Sequence, residues 1–517
     1  MMAIVKMVGV KSCFVFLVSM VFLIGCSATS EPAAREQLAA QRGGSRATEA
    51  KALLVGNWAD PTILKDGDDY YMTHSSFEYY PGLLVWHSQD LRAWRPICRA
   101  VVHQEGSIWA PDLIKHDGRY YIYYPAAGQN WVVTADSPDG PWSSPMSIGV
   151  GLIDPGHVVG DDGKRYVHIS DGYAVEMSAD GLQAITLPQK VYDGWPIPRD
   201  WAIECFCLES PKLTKRDGWY YLTSAQGGTA GPSTSHMVVS ARSRGPLGPW
   251  ENSPYNPLIR TWDREEPWWS KGHGTLVEGP QGQWYCVIHG WMNGYLTLGR
   301  GTLIEPIHWT EDGWFRVADH WPSAWNEPVR VEMPMSDEFD GDRLGIQWHF
   351  FQNYDAERFQ LANGLLMLHA RGSTPGDSQP LCVMPLNRAY AIETEIEFEG
   401  SGQGGLMLFF SPRVYAGLAV TEDGIVSSVR EEFRRHGEAS EPRPSRRVVL
   451  RIVNDKQDVR FYYKDDAGTW CIIQPSIDIS WAHHNTFGGW YDVRPALFAS
   501  GSGQARFHYF RYEPLEN

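Results

Sequence analysis

Residues 209–224 read Glu209-SPKLTKRDGWYYLTS: a carboxylate, an apolar run, an Asp-Gly turn, then an aromatic-rich strand. Asp217-Gly218 supplies the two residues with φ > 0 that a tight turn needs, so the pattern is a β-hairpin. The same phrase occurs four more times, as Asp60-PTILKDGDDYYMTH, Asp112-LIKHDGRYYIYY, Asp154-PGHVVGDDGKRYVHI and His273-GTLVEGPQGQWYCVIH. The leading residues 60, 112, 154, 209 and 273 follow one another at about 40 to 65 positions, the size of one propeller blade. In a radial array the first strand of each blade lines the axis, so the five leading residues should converge there. Four of them are carboxylates.

Outward from these repeats the chain stays β-like. Its 517 residues suffice for two or three domains with a large core. Residues 52–332 are hairpins and Gly/Pro turns with almost no helical periodicity. Near Glu332-Met-Pro334 the pattern changes, and Ser336-DEFDGDRLGIQWHFF opens a second module. In Ala391-IETEIEFEG, Ile392, Thr394, Ile396 and Phe398 alternate with four Glu, the signature of a half-exposed antiparallel strand. Val448-VLRIVNDKQDVRFYY is a further hairpin and Ala505-RFHYFRY a closing strand. The expected fold is all-β: a five-bladed β-propeller over 52–332, then a lectin-like (concanavalin A-like) β-sandwich over 335–517.

The N-terminus carries an address. Lys6 and Lys11 precede an apolar run, Cys13 to Ile24, that ends in Leu23-Ile24-Gly25-Cys26. A basic start and a short apolar core make residues 1–25 a secretory signal rather than a membrane span. Leu-x-Gly-Cys there resembles the lipobox of bacterial lipoproteins, which makes Cys26 the lipidated residue. Residues 26–51 hold almost no large apolar side chains and read as a tether. The implied location is the bacterial envelope, lipid-anchored, facing the periplasm or the exterior. The six other cysteines (98, 205, 207, 286, 382, 471) show no CxxC pairs, which argues against a structural zinc site. Several sit within apolar strands and read most simply as buried free thiols; a disulfide is permitted in that compartment, but the sequence assigns none.

The formal charge is −16 and no basic run stands out, which excludes nucleic acid as a partner and suits a neutral polysaccharide. Aromatics make up 13% of the chain, with 23 Trp, enough for blade packing and for stacking on sugar faces. A pocket holding several acids is what glycosidic hydrolysis needs. One carboxylic acid protonates the leaving oxygen and a second carboxylate activates water or attacks carbon, while a third charge nearby raises the acid's pKa. Asp60, Asp154 and Glu209 lead blades one, three and four and fit these parts; Glu209, one methylene longer, suits the proton donor. Glu204 is its nearest rival, but the Pro-Lys-Leu repeat register follows Glu209. Asp112, two residues later in its motif, reads as a structural carboxylate capping backbone amides.

The segments Trp58-ADPTI, Trp109-APDL, Ile153-DPG, Glu209-SPKL, Gly272-HGTLVE and Leu298-GRGTLIEP, in this order and spacing, resemble glycoside hydrolase family 43. The second module is similar to the β-sandwich appended to that family's β-xylosidases. The resemblance implies an inverting hydrolase needing no cofactor, with Asp60 as general base, Asp154 as pKa modulator and orienter, and Glu209 as general acid. It further implies that Arg300 binds a substrate hydroxyl, that Phe77 and Trp109 wall the sugar pocket, and that His273 lies on the axis. In some members that histidine stands beside a bound calcium, though a buried, hydrogen-bonded histidine is the alternative. Phe487, in Thr486-FGGW, matches a sandwich loop that caps the pocket, and Ser336-DEFDGD could hold a structural calcium. Ser210 departs from the glycine common after the acid, and Ile197-Pro-Arg-Asp-Trp matches no known specificity. The implied activity is exo-acting β-xylosidase or α-L-arabinofuranosidase on pentose-containing plant saccharides. The alternatives are an endo-arabinanase, a galactan-acting member, or a non-catalytic carbohydrate-binding lipoprotein.

Overall fold

The computed structural model describes residues 49–424, 426–431, 440–441, 447–473 and 476–515. The expected signal sequence, Cys26 and nearly all of the tether lie outside the described residues.

Five small antiparallel sheets form the blades of a propeller. Their innermost strands are Thr62–Asp66, Asp112–His116, Gly156–Val159, Glu209–Arg216 and Trp268–Glu278, each at or within a few residues of a repeat's leading residue. Asp117-Gly118 and Asp217-Gly218 both turn with φ > 0 at each residue (48° and 79°, 51° and 72°), the conformation the hairpin reading requires. Blade five is completed from the other end of the repeat array. Lys51–Leu54 pairs with Arg300–Trp309, so the chain's first described strand closes the ring. Closure leaves the propeller few open sheet edges.

The second module is built on two long strands, Ala389–Ser411 and Arg494–Pro514, paired antiparallel from Tyr390↔Pro514 to Phe409↔Arg494. Both bend where Gly400-Ser-Gly faces Gly501-Ser-Gly503. There Gly400 and Gly503 take φ of 118° and 126°, and a Cβ on Gly503 would sit 2.0 Å from the Glu399 carbonyl. Ile392, Thr394, Ile396 and Phe398 are buried, as their alternation predicts, while Glu393, Glu395 and Glu397 meet Arg451, Arg447 and His508 on the outer face.

The two modules share a sheet. Tyr79–Tyr80 of the propeller pairs with His349–Phe351 of the sandwich. Beside this junction Asp492 accepts from Arg494, Arg494 reaches His349 at 2.6 Å, and the Arg494 guanidinium lies 3.3 Å above the Tyr79 ring. Cys205 and Cys207 are bridged, a pairing the sequence leaves unassigned, and Cys98, Cys286, Cys382 and Cys471 are free. The bridge closes across a single residue, Phe206, a shorter spacing than CxxC. At the start of the sandwich Asp337 receives bonds from Trp348 Nε1 (2.8 Å) and the Phe339 amide (2.8 Å). That carboxylate already pins a turn of the Ser336-DEFDGD segment to a core tryptophan.

Candidate active site

Three blade leaders enter the axis on left-handed backbone: Asp60, Asp154 and His273 have φ of 58°, 58° and 54°. Asp and His are among the non-glycine residues that tolerate this region, and the kink directs each side chain into the axis rather than onto the pleat. Ser210 does the same at φ 51°. A glycine would adopt that conformation without the Cβ penalty, which accounts physically for the position at which this chain departs from the pattern.

His273 links the acids. Its Nδ1 lies 3.5 Å from Asp60 Oδ1; its Nε2 lies 3.5 Å from Asp154 Oδ2 and 3.9 Å from Glu209 Oε2. The width of an imidazole therefore separates Asp60 on one side from the Asp154–Glu209 pair on the other. Asp60 and Asp154 are buried, whereas the Glu209 side chain is 25% exposed and reaches the opening.

Asp60 is surrounded by donors. Arg300 Nη1 donates to Oδ1 at 3.0 Å and Ser75 Oγ donates to Oδ2 at 2.5 Å, while His289 Nδ1 accepts the Asp60 backbone amide at 3.1 Å. Burial pushes its pKa up, but Arg300, His273 and His289 outweigh that and hold the carboxyl well below the usual range. Asp154 goes the other way. Burial pushes it up to about 7; His273 opposes this, and the charges of Glu209 and Asp60 add to it. Its Oδ2 also accepts the Ser210 amide at 3.1 Å. Burial depresses His273, yet Asp60, Asp154 and Glu209 together raise it.

Sequence reasoning missed what lies under His273. His236 and His289 stack with it, ring centroids 5.0–5.7 Å apart and planes within 23°. Gly272 makes room for the stack, since a Cβ there would fall 1.7 Å from His236 Cδ2. Neither histidine leads a repeat, and the Gly-His pair at 272–273 was the only hint. Thr229 Oγ1 lies 3.3 Å from His289 Nε2 and braces the ring. A cation between Asp60, His273 and His289 would share the Asp60 oxygen already held by Arg300, so that donor set fits a divalent ion poorly. The set of Asp154, Glu209 and His273 lacks such a counter-charge and fits better.

Asp112 stands apart from these groups. It accepts the His157 amide at 2.7 Å and pairs with buried Lys212 at 3.0 Å, and Lys212 also donates to the Pro111 and Pro155 carbonyls. This clamp ties blades two, three and four together, in keeping with a structural Asp112. Glu204 is exposed and accepts the Ala230 amide at 2.7 Å.

The walls differ in part from expectation. Phe77 is buried, bridges Ile108, and lies 5.7 Å from the Arg300 guanidinium. Trp109 follows that bridge, half-buried, its indole N–H on Ser107 Oγ. From the sandwich it is Trp490, three residues beyond Phe487, that stands over Arg300, at 4.5 Å. His484 stacks on Trp490 at 3.9 Å, and Asn57 Nδ2 holds the Trp490 carbonyl at 2.8 Å. Phe487 packs instead against Phe410 and Trp481 within the sandwich. The loop aromatic over Arg300 is therefore Trp490 and not Phe487, with Gly488-Gly489 between them reversing the chain at φ near 70°.

The comparisons agree with this architecture. Residues 50–315 match Glycosyl hydrolases family 43, and residues 336–513 match the Beta xylosidase C-terminal Concanavalin A-like domain. A non-reducing end α-L-arabinofuranosidase of Bacteroides ovatus is 28% identical, over 90% of this chain and 94% of its own. A xylan 1,3-β-xylosidase of a Vibrio species is 28% identical, over 82% and 90%. Among solved structures, a family 43 protein of Bacillus licheniformis superposes with a TM-score of 0.81 at 27% identity, covering 90% of this chain and 99% of that one. A xylan β-1,4-xylosidase from Bacillus halodurans gives 0.80 at 26%, covering 90% and 100%. The chain belongs to glycosyl hydrolase family 43, as a five-bladed β-propeller carrying a concanavalin A-like domain.

Proposed function

We propose that this glycoside hydrolase removes pentose units, xylose or arabinose, from the ends of plant-type oligosaccharides with inversion at the anomeric carbon. The observation that carries the reading is His273 standing between Asp60 at one nitrogen and Asp154 with Glu209 at the other. Two carboxyl stations separated by a ring leave room for a sugar and a water, the arrangement inversion needs. The names of the relatives, β-xylosidases and α-L-arabinofuranosidases, support the pentose.

Asp60, ionised at every working pH, orients a water toward the anomeric carbon and takes its proton as the C–O bond breaks. Arg300, pinned by Asp60 and roofed by Trp490, presents its remaining N–H groups to a sugar hydroxyl. Glu209 protonates the departing oxygen, since it alone of the three acids reaches the opening. Asp154 faces Glu209 within 4.8 Å, so ionising one carboxyl opposes ionising the other and a proton stays available to the pair. Trp490 and His484 cover the sugar side of the pocket, which favours a chain end over a chain interior.

The test separates the two acids' parts by leaving group. Glu209→Gln should lose about 10²–10⁴-fold on xylo- or arabino-oligosaccharides but much less on nitrophenyl pentosides, whose phenolate leaves without a proton. Asp60→Asn should lose a similar factor on both. Equal loss on both substrates in Glu209→Gln would refute its role as the acid, and a wild-type protein inactive on all pentosides would refute the substrate class.

A further inference from the structure

Between blades three and four, the run that includes Ile197–Trp201 and leads to Glu209 carries a cluster the catalytic account does not use. Trp201 packs edge-on to Trp262 at 5.9 Å and against Trp195 at 5.9 Å, with the Arg260 guanidinium 3.5 Å over the Trp201 ring. Trp262 is 40% and Phe206 44% exposed, although rings of this size are ordinarily covered. Phe206 lies between the bridged Cys205 and Cys207, its ring against Gly194, where a Cβ would come within 2.8 Å. These rings are already ordered, so a ligand stacking on them meets little added entropic cost.

The cluster is continuous with the active site. The Glu204 amide bonds to the Gly227 carbonyl and to Ser235 Oγ, and its carboxylate accepts the Ala230 amide. That same 227–231 turn carries Thr229, which braces His289 beside Asp60. The Glu204 charge bears on both Arg300 and His484. The segment then runs directly into Glu209, the group at the pocket opening. Through this segment the cluster is continuous with the mouth of the pocket, where Glu209 meets the departing oxygen.

We propose that Trp201, Phe206 and Trp262 form a stacking platform for the leaving-group sugars of a pentose oligosaccharide at least three units long. The apolar faces of successive sugar rings would lie on the exposed Phe206 and Trp262 rings. This inference rests on the hydrolytic reading above. Measured with xylo- and arabino-oligosaccharides of two to five sugars, wild-type kcat/KM should rise about tenfold with length, and Trp262→Ala and Phe206→Ala should each reduce that rise to less than about threefold. The difference should lie in KM. Wild-type protein that cleaves disaccharides and nitrophenyl pentosides with no dependence on length overturns the platform and leaves the function standing. A full length dependence retained in both variants also overturns it. Wild-type protein that cleaves no pentoside overturns the function, and the platform with it.

Discussion

At Asp60 and Asp154, two buried carboxyls on either side of His273, the surroundings push the protons in opposite directions. Asp60 is ionised because Arg300 and Ser75 hold the charge. Replacing it by Asn leaves Arg300 buried without its counter-ion, so Asp60→Asn should lower stability at pH 7 by about 3–5 kcal/mol as well as abolishing turnover. Asp154 releases its proton near 3.8 in the unfolded chain but near 7 when folded. Folding binds a proton between these values, so this group's contribution to stability is whole below pH 3.8 and is lost as pH rises toward 7. Asp154→Asn escapes that loss. Its melting temperature should match wild type at pH 4 and exceed it by about 2–5 °C at pH 8. Thermal scans at the two pH values check both variants; an Asp154→Asn protein less stable than wild type at pH 8 would mean the carboxylate is a structural anion. By the same sign, kcat/KM should fall as pH rises past about 7, where buried Asp154 gives up its proton.

The elements that hold these residues were legible where local chemistry fixes them. Asp117-Gly118 and Asp217-Gly218 announce hairpins because few other pairs accept two positive φ values. The innermost strands, and with them Asp60, Asp154, Glu209 and His273, follow from counting those hairpins. What stayed hidden depends on neighbours in space. His289 lies on the second strand of blade five and His236 just before Met237–Ser243, the third strand of blade four; neither carries a repeat signature, yet they form the stack beneath His273. Lys212 carries no local sign of burial in the sequence, yet it is buried against Asp112. Trp490 lies one reversal past the aromatic that alignment by motif would choose. Two variants test this level. Gly272→Ala drives a methyl into His236 and should cost at least tenfold in activity, with a destabilisation of about 1–3 kcal/mol. Trp490→Ala should lower kcat/KM about tenfold or more through a looser Arg300, whereas Phe487→Ala should mainly lower the melting temperature; the reverse ranking would return the pocket contact to Phe487.

For the whole molecule, the sandwich is joined to the propeller by a shared sheet, the Arg494 guanidinium over the Tyr79 ring and the Asn57 contacts to Trp490 and Asp492. Interfaces of this kind do not separate cleanly. Ending the chain at residue 334 should therefore give protein that is insoluble or at least about tenfold less active on small substrates, since Trp490 goes with it. Soluble truncated protein with unchanged kinetics would make the sandwich an independent module. We propose further, from Leu23-Ile24-Gly25-Cys26, that the enzyme is tethered by lipid at Cys26. Cys26→Ser should leave the membrane fraction, and a wild-type protein already soluble after fractionation would dismiss the anchor.

The central claim is that Asp60 and Glu209 act from opposite sides of the sugar. Proton NMR of the first sugar released, read before mutarotation, tests it most directly. Inversion predicts the anomer opposite to that of the substrate: the α-anomer of xylose from a β-xyloside, the β-anomer of arabinose from an α-arabinofuranoside. Release of the substrate's own anomer would contradict the account and assign Asp60 as a nucleophile.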